Sequence, residues 1–254
     1  MPLVATDGIV LHAFDYMESS RIVRLATRDA GLQSVIAKGA RRARGKHGAA
    51  LDLFAEGAAQ FSLRPGRELS TLTGFDVTRS RPELAADLGR FAGASAIAEL
   101  VLRFARDDQQ VALYDTLVAT LDEIAAAPPG FARAAALAGA WRLVAELGFA
   151  PALERCANCH AALDDTEAVA FSHRDGGALC AGCARGRAGV RMVPAAARAL
   201  IRAWLAARGS ASALDDASAR AHQRLLREFL HEHLTDGRPL RAFDMWETAR
   251  WVTG

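Results

Sequence analysis

The stretch GIVLHAFDYMESSRIVRLATRDAGLQSVIAK, residues 8–38, indicates the fold class of the first part of the chain. Its apolar residues alternate with a period of two in three runs, 8–14, 21–27 and 32–38, and this alternation is typical of strands with one buried face. Gly31, in the short connection between the second and third runs, can adopt the positive φ that a tight hairpin loop requires. We therefore predict three strands, of which the last two form a hairpin.

Two more runs of the same kind follow, at residues 58–63 and 67–77. They flank the segment RPGR at 64–67, in which proline presets φ at the second turn position and glycine permits a positive φ at the third, as a type II turn requires. The apolar segment 48–54 has the length of one or two helical turns. Five short strands with a helix after the third favour a small, partly open β-barrel of the oligonucleotide-binding (OB) type over residues 1–78.

From Pro82 onward the apolar residues recur three and four positions apart, which is the period of an amphipathic helix. Leu113, Leu117 and Leu121 belong to one such stripe. We predict an α+β chain in which the OB-fold barrel is followed by an all-α domain at 79–254. The predicted helices occupy residues 81–105, 111–127, 131–148, 194–209 and 217–234, and the pattern of 240–254 does not predict an element.

The bulk composition is that of an ordinary globular protein. With 254 residues, 51% of them hydrophobic and 24% charged, the chain can bury a sizeable core and is long enough for two domains. Residues 1–16 lack the basic start, apolar run and cleavage site of a secretion signal, and no apolar stretch is long enough to span a bilayer. We therefore expect a cytoplasmic protein with no membrane partner, in a compartment where structural disulfides are rare.

All four cysteines lie within residues 156–183, as two C-x-x-C pairs separated by twenty residues. Thiolates are preferred zinc ligands, and two such pairs complete a tetrahedral all-sulfur site. The intervening loop has few large apolar residues, so a bound ion would supply the order that packing cannot. We predict a zinc knuckle at about residues 153–190, inserted in the helical domain, with the ligands Cys156, Cys159, Cys180 and Cys183.

Two other interpretations of the cysteines remain open, a pair of reduced redox motifs and an oxidised disulfide clip. A thioredoxin-type motif should follow a strand at the start of a helix within a βαβ unit, and we expect neither pair to do so. His160 and His173 lie close enough in sequence to replace a thiolate. A closed site of four cysteines has no coordination position left for water, so we expect the metal to stabilise the fold and not to catalyse.

A second candidate site is the segment KGARRARGKH, residues 38–47, which has five basic residues and no acidic one. Such a segment beside a barrel attracts a phosphate backbone, chiefly through the release of condensed counterions. OB barrels also bind bases on aromatic platforms. The basic candidates are Lys38, Arg41, Arg42, Arg44 and Lys46, and the aromatic candidates are Phe14, Tyr16, Phe61 and Phe75. A solvated surface and a barrel core are the respective alternatives.

The sequence has no motif of a known catalytic site. It lacks G-x-x-x-x-G-K-[ST], G-x-S-x-G, a Rossmann glycine fingerprint and H-E-x-x-H. The aspartate pairs at 164–165 and 215–216 are better explained as turn or cap residues than as metal-binding carboxylates. We predict a protein that is not an enzyme and has no small-molecule substrate.

The order of these features resembles the RecO family of bacterial DNA repair and recombination mediators along nearly the whole chain. The resemblance is carried by LHAFDYMESSRIVRLATRDAGLQSVIAKGARR (11–42), LRPGRELSTLTGFDV (63–77), the cysteine knuckle and FLHEHLTDGRPLRAF (229–243). It implies a nucleoid-associated protein that binds single- and double-stranded DNA and anneals complementary strands. It further implies that the protein acts with RecR to load the recombinase RecA on DNA coated with single-stranded DNA-binding protein (SSB), whose acidic tail docks on the helical body.

Four arginines at helical spacing lie in the region where that tail would dock, although a solvated helix face is the simpler interpretation for each: Arg198, Arg202, Arg224 and Arg227. Two other functions remain open. One is a zinc-containing transcription regulator that binds a specific duplex site, and the other is an adaptor whose barrel contacts only protein.

Overall fold

A computed structural model describes residues 2–40, 51–63, 69–128, 130–206, 213–234 and 238–248. The predicted turn at 64–67 and the basic segment beyond residue 40 lie outside these ranges. Of the helix predicted at 48–54, only 51–54 are described, and these four residues contain no α-helix.

The first part of the chain forms five strands, β1 (Leu3–Tyr16), β2 (Ser20–Thr27), β3 (Gly31–Ala37), β4 (Glu56–Ser62) and β5 (Ser70–Arg79). They build a barrel in the order β1-β2-β3-β5-β4. Because β1 pairs with both β2 and β4, the ring of strands is closed, where the sequence predicts a partly open one. Among the described strand pairs, β3 with β5 is parallel and the others are antiparallel. The predicted five-stranded, OB-like barrel is confirmed.

A bulge in β1 divides the outer side of that strand into two halves. The register against β2 shifts between Val10 and His12, which leaves Leu11 as an extra residue that bends the strand. Val10 lies in the barrel core, whereas Leu11 packs into the core of the helical body. Beyond the bulge, His12 and Phe14 are exposed. Ile9 and Leu11 at the bulge therefore pack on the helices, and the part of β1 beyond the bulge faces solvent.

The rest of the chain forms a helical body whose helices are α1 (Pro82–Ala86), α2 (Leu88–Phe104), α3 (Val111–Ala126), α4 (Ala132–Glu146), α5 (Ala181–Ala184), α6 (Ala195–Leu205), α7 (Asp216–His233) and α8 (Arg241–Thr248). The first predicted helix is divided, because Asp87 is extended, with ψ 127°, and separates α1 from α2. The Asp87 side chain caps α2 by accepting from the Arg90 backbone N–H at 2.7 Å. None of the helices in the described ranges combines the length and apolar character that a membrane-spanning segment needs.

Helix α4 lies at the centre of the body, with almost every residue buried. Its alanines and Gly139 let neighbouring helices approach closely: a Cβ on Gly139 would lie 2.0 Å from Thr120 Cγ2 in α3. Trp141 is fully buried, with its ring centroid 5.4 Å from that of Phe229 in α7. Helix α4 thus links α3 to α7 through direct packing.

The barrel and the helical body share a continuous hydrophobic core, which includes Ile9, Leu11, Ala26 and Phe54 from the barrel side. Their backbones also meet: Gly31 has φ +65°, and a Cβ there would lie 2.2 Å from the Asp108 carbonyl oxygen. The Leu32 N–H donates to the Arg106 carbonyl at 3.1 Å. The boundary predicted at 78/79 falls at the end of β5, and the division into two domains stays a prediction.

The cysteine region contains a small antiparallel sheet that the sequence pattern does not reveal. Its strands are β6 (Val169–Ser172), β7 (Gly177–Leu179) and β8 (Arg191–Val193), in the order β7-β6-β8. Strands of three or four residues place at most two side chains on each face, so they show no measurable period. The sheet packs into the helical core through Val169, Phe171, Ala178 and Val193.

Candidate functional site

Two short turns bring the four cysteines to one point. The first pair lies in a turn closed by the His160 N–H, which donates to the Cys156 carbonyl at 2.9 Å. In the second pair, Cys180 follows β7 and begins α5, which contains Cys183. The four Sγ atoms all lie within 4.8 Å of one another, and the Cys159 and Cys180 Sγ atoms are 3.7 Å apart.

This sulfur cluster has the dimensions of a tetrahedral metal site. Zinc–sulfur bonds of about 2.3 Å place the ligand sulfurs of a tetrahedron about 3.8 Å apart. A disulfide needs about 2.0 Å, and all four cysteines are free thiols. In the part of the chain that the structure describes, the metal-binding group of His, Cys, Asp or Glu residues consists of these four. The geometry therefore fits an all-thiolate metal site and does not fit a disulfide clip.

The electrostatic surroundings favour thiolate at part of the cluster. Burial raises the pKa of the Cys156 thiol, but hydrogen bonds from the backbone N–H groups of Cys159, Cys180 and Asn158 outweigh it and lower that pKa to about 6. At Cys159 a backbone hydrogen bond from Ala161 lowers the pKa, while sharing hydrogen bonds with the other three thiols raises it to about 11. A bound cation removes this competition, since it favours the thiolate form of every ligand.

The expectation that neither cysteine pair follows a strand at the start of a helix is wrong for the second pair. The Cys180 pair does follow a strand, β7, and does sit at the start of a helix, α5. That helix is only four residues long, and the sheet is antiparallel, so the pair is not within a βαβ unit. His160 and His173 are not in the cluster, and the His173 Nε2 atom instead lies 3.0 Å from a Glu228 carboxylate oxygen.

Two arginines of α6 fasten the loop between the cysteine pairs to the helical body. Arg198 is only 1% exposed and donates to the Asp164 carbonyl and, at 3.3 Å, to the Asp165 carboxylate. Arg202 bridges Asp165 at 2.6 Å and Glu154 at 3.0 Å. The interpretation of Arg198 as part of a solvated helix face is therefore wrong, because the inserted loop covers it.

A second connection joins the inserted sheet to α7. Arg191 in β8 donates through two nitrogens to the Glu228 carboxylate, at 2.5 and 3.1 Å. The same carboxylate lies beside His173, and the His173 carbonyl is 2.6 Å from His233 Nε2. Burial lowers the pKa of His173 despite the neighbouring Glu228. The segment from Cys156 to the end of β8 at Val193 contains the cysteine cluster, and we call it the cysteine module. It is tied to α6 through Arg198 and Arg202 and to α7 through Glu228.

The structure describes only one of the basic residues predicted to contact polynucleotide. Lys38 is exposed, in the turn that immediately follows β3. Arg41, Arg42, Arg44 and Lys46 lie outside the described residues. The placement of the basic segment after the third barrel strand follows from Lys38, and its role stays a prediction.

The barrel separates the four aromatic candidates into two groups. Phe61 and Phe75 belong to the barrel core, as the alternative interpretation predicts. Phe14 is 44% exposed, and Tyr16 is half-buried. His12, which was not among the predicted aromatic candidates, has its ring centroid 5.6 Å from that of Phe14. Its position two residues before Phe14 on the same strand is the signal that identifies it.

Comparison with known proteins agrees with this architecture. Residues 1–81 match the family described as Recombination protein O N terminal, and residues 85–242 match Recombination protein O C terminal. The chain belongs to the RecO family. The first match covers the barrel and the second covers the helical body with the cysteine module, so the family predicted from sequence is confirmed.

Individual RecO proteins resemble the chain along most of its length. It is 40% identical to the DNA repair protein RecO of Anaeromyxobacter sp. (strain K), in an alignment 253 positions long that covers 95% of each chain. It is 41% identical to that of Anaeromyxobacter dehalogenans (strain 2CP-C), with 95% of each chain covered, and 36% identical to that of Syntrophotalea carbinolica over 72% of this chain and 70% of the other. RecO membership gives the chain a role in DNA repair and recombination.

Proposed function

We propose that this chain is a non-enzymatic recombination mediator. It binds single- and double-stranded DNA, anneals complementary strands and, with RecR, helps to load RecA on DNA coated with SSB. The observation that carries the proposal is the match to both RecO family regions across the barrel and the body. The physical support comes from the barrel, whose third strand leads directly into the basic segment.

The basic segment supplies the attraction for DNA. Lys38 is exposed and has no carboxylate partner among the described residues. It begins a run of ten residues with five positive charges and no negative one, in a chain whose net charge is only +2. Neutralising phosphates releases their condensed counterions whatever the base sequence, which suits a protein that must act on any damaged strand.

In this proposal the helical body contacts the partner proteins. The ion pairs on α6 and α7 show which of the four candidate arginines is available to attract the acidic SSB tail. Arg198 and Arg202 are committed to the cysteine module, and Arg227 pairs with Glu247 at 3.3 Å. Arg224 is exposed and has no ion-pair partner among the described residues. Of the four arginines considered, Arg224 is therefore the one with a charge free to attract an acidic tail.

The metal in the proposed mediator is zinc, held by Cys156, Cys159, Cys180 and Cys183. Four thiolates are a typical structural zinc set, and their closed tetrahedron leaves no position for water or substrate. The ion would hold the two turns together while Arg191, Arg198 and Arg202 hold the module on the body. This role is structural, in keeping with a protein that is not an enzyme.

Salt dependence tests the DNA-binding proposal. If the basic segment neutralises four phosphates of a single strand, log K for a labelled oligonucleotide should fall with log salt at a slope of about −3. Replacing Arg41, Arg42 and Arg44 with Glu should weaken binding and flatten that slope.

The matched control reverses three exposed arginines of the body, Arg174, Arg185 and Arg224, because it changes the net charge equally. We expect this control to keep most of the slope. An unchanged slope in the first variant would remove residues 41–44 from the interface. A strong preference for one duplex sequence would indicate a transcription regulator instead, since a mediator binds with little sequence preference.

A further inference from the structure

Beyond the β1 bulge, one side of the barrel is at least partly open to solvent in the part of the chain that the structure describes. It consists of His12, Phe14 and Tyr16 on β1, Ile22 on β2 and Ile36 on β3, and we call these five residues the exposed barrel face. Each is exposed or half-buried, and Phe14 is 44% exposed.

Strand register aligns these side chains into rows. Phe14 lies opposite Ile22, and Ile22 lies opposite Ile36, which gives one apolar row across three adjacent strands. The next row starts with His12, opposite Arg24. Because neighbouring strands are about 4.8 Å apart, each row forms a nearly continuous surface.

The reason for the exposure is the change of partner at the bulge. On the near side of it, Leu11 and Ala26 are buried against the helices. On the far side, Phe14, Ile22 and Ile36 are exposed or half-buried. A Phe ring standing among half-buried isoleucines on an open sheet is an unusual surface, since large aromatic rings are normally packed away from water.

We propose that the exposed barrel face stacks unpaired bases, so that it favours single-stranded over double-stranded DNA; this rests on the function proposed above. The Phe14 ring and the His12 ring, tilted by 41° at 5.6 Å, offer π-faces to successive bases. Duplex bases are already stacked on one another, so only an unpaired strand gains from this surface.

Charge around the exposed barrel face supports a polynucleotide occupant. Lys38 lies two residues after Ile36, directly after the end of β3, and begins the basic segment. Arg24 lies in the row of His12, but its guanidinium donates to the Leu102 carbonyl of α2 at 3.2 Å and is turned towards the helical body. The positive charge beside the apolar row therefore comes from Lys38 at the end of β3, where it can meet the phosphates of a strand whose bases point inward.

The test compares the affinities of variants for a labelled oligothymidine and for a hairpin duplex of matched length. Replacing both His12 and Phe14 with Ala should weaken single-strand binding about tenfold or more, because each stacked base contributes on that scale. Duplex affinity should stay unchanged. Phe14→Trp keeps a larger π-face and should retain single-strand affinity.

The control is Val77→Ala, because Val77 on β5 is also 44% exposed but has no aromatic surface. It should change neither affinity. Equal losses for single strand and duplex in the double variant would overturn the stacking role, and an unchanged single-strand affinity would assign the face to a protein partner. A wild-type chain that binds neither form of DNA would instead defeat the function on which this inference rests.

Discussion

Arg81 lies at the junction of the barrel and the helical body, with a side chain only 2% exposed. It donates to the Glu56 carboxylate of β4 at 2.7 Å, to the Asp122 carboxylate of α3 at 2.7 Å and to the Phe54 carbonyl at 3.0 Å. One guanidinium group therefore satisfies acceptors from both parts of the chain, and its planar fork suits this task better than an ammonium would.

Replacing Arg81 with Met should lower the free energy of unfolding by about 3 kcal/mol, because two carboxylates and a buried carbonyl lose their donor. The measurement is denaturant unfolding followed by circular dichroism. Arg79→Met is the matched control, since Arg79 pairs with the same Asp122 but is 53% exposed, and its loss should cost less than about 1 kcal/mol. Similar losses in the two variants would contradict the role given to Arg81.

Single residues also show where sequence patterns are insufficient. The spacing of the cysteines predicted their convergence, because two C-x-x-C pairs have few other uses in a reduced compartment. The spacing of Arg198 indicated a helix face but could not show that an inserted loop covers that face. Likewise, Phe14 and Phe61 both lie on predicted strands, and only the closed barrel shows that one is outside and the other inside.

At the scale of elements, long periodic segments were predictable and short ones were not. The five barrel strands and the long helices each repeat their pattern several times, so their type follows from sequence. The three strands of the cysteine module are too short to repeat a pattern. The division between α1 and α2 depends on Asp87, whose capping role inside an apolar run competes with helix continuation.

Helix α8 shows the same limit for a different reason. Its Phe243 and Trp246 are fully buried, and the Glu99 carboxylate accepts from the Ala242 and Phe243 backbone N–H groups at 3.0 and 3.3 Å. That cap comes from α2, more than a hundred residues earlier in the chain. No local signal marks the start of α8, because a distant side chain satisfies its first N–H groups.

The cysteine module gives a prediction at this scale. Native mass spectrometry should find one zinc ion per chain, and Cys180→Ser should lose it, because three thiolates bind zinc more weakly than four. His160→Asn is the control: His160 neighbours the cluster and has φ +61°, which Asn tolerates, but it is not among the ligands. The control should keep its zinc. Metal-free protein with four titratable thiols after gentle purification would contradict the assignment.

At the scale of the whole molecule, the order of barrel, helices and cysteine insert was predictable from the changes of period along the chain. The way these parts join was not. The hydrophobic core continues from Ile9 and Leu11 into the helices, and Gly31 meets the Asp108 backbone too closely for any side chain. Such contacts depend on residues far apart in sequence, so they become visible only in the folded molecule.

This joined architecture places the proposed DNA surface and the proposed protein surfaces on one body. The barrel carries Lys38 and the exposed barrel face, α7 carries Arg224, and α6 and α7 together hold the cysteine module. A mediator needs both kinds of contact at once, because it must hold a strand while it engages the protein that coats it.

Fluorescence anisotropy of a labelled single strand, titrated with the wild-type chain from dilute to high salt, shows whether the protein binds DNA through its charge. We predict saturable binding in dilute buffer that weakens steadily as salt rises, because the contacts are mainly to phosphates. No binding at the lowest salt concentration would contradict the claim that this chain acts on DNA.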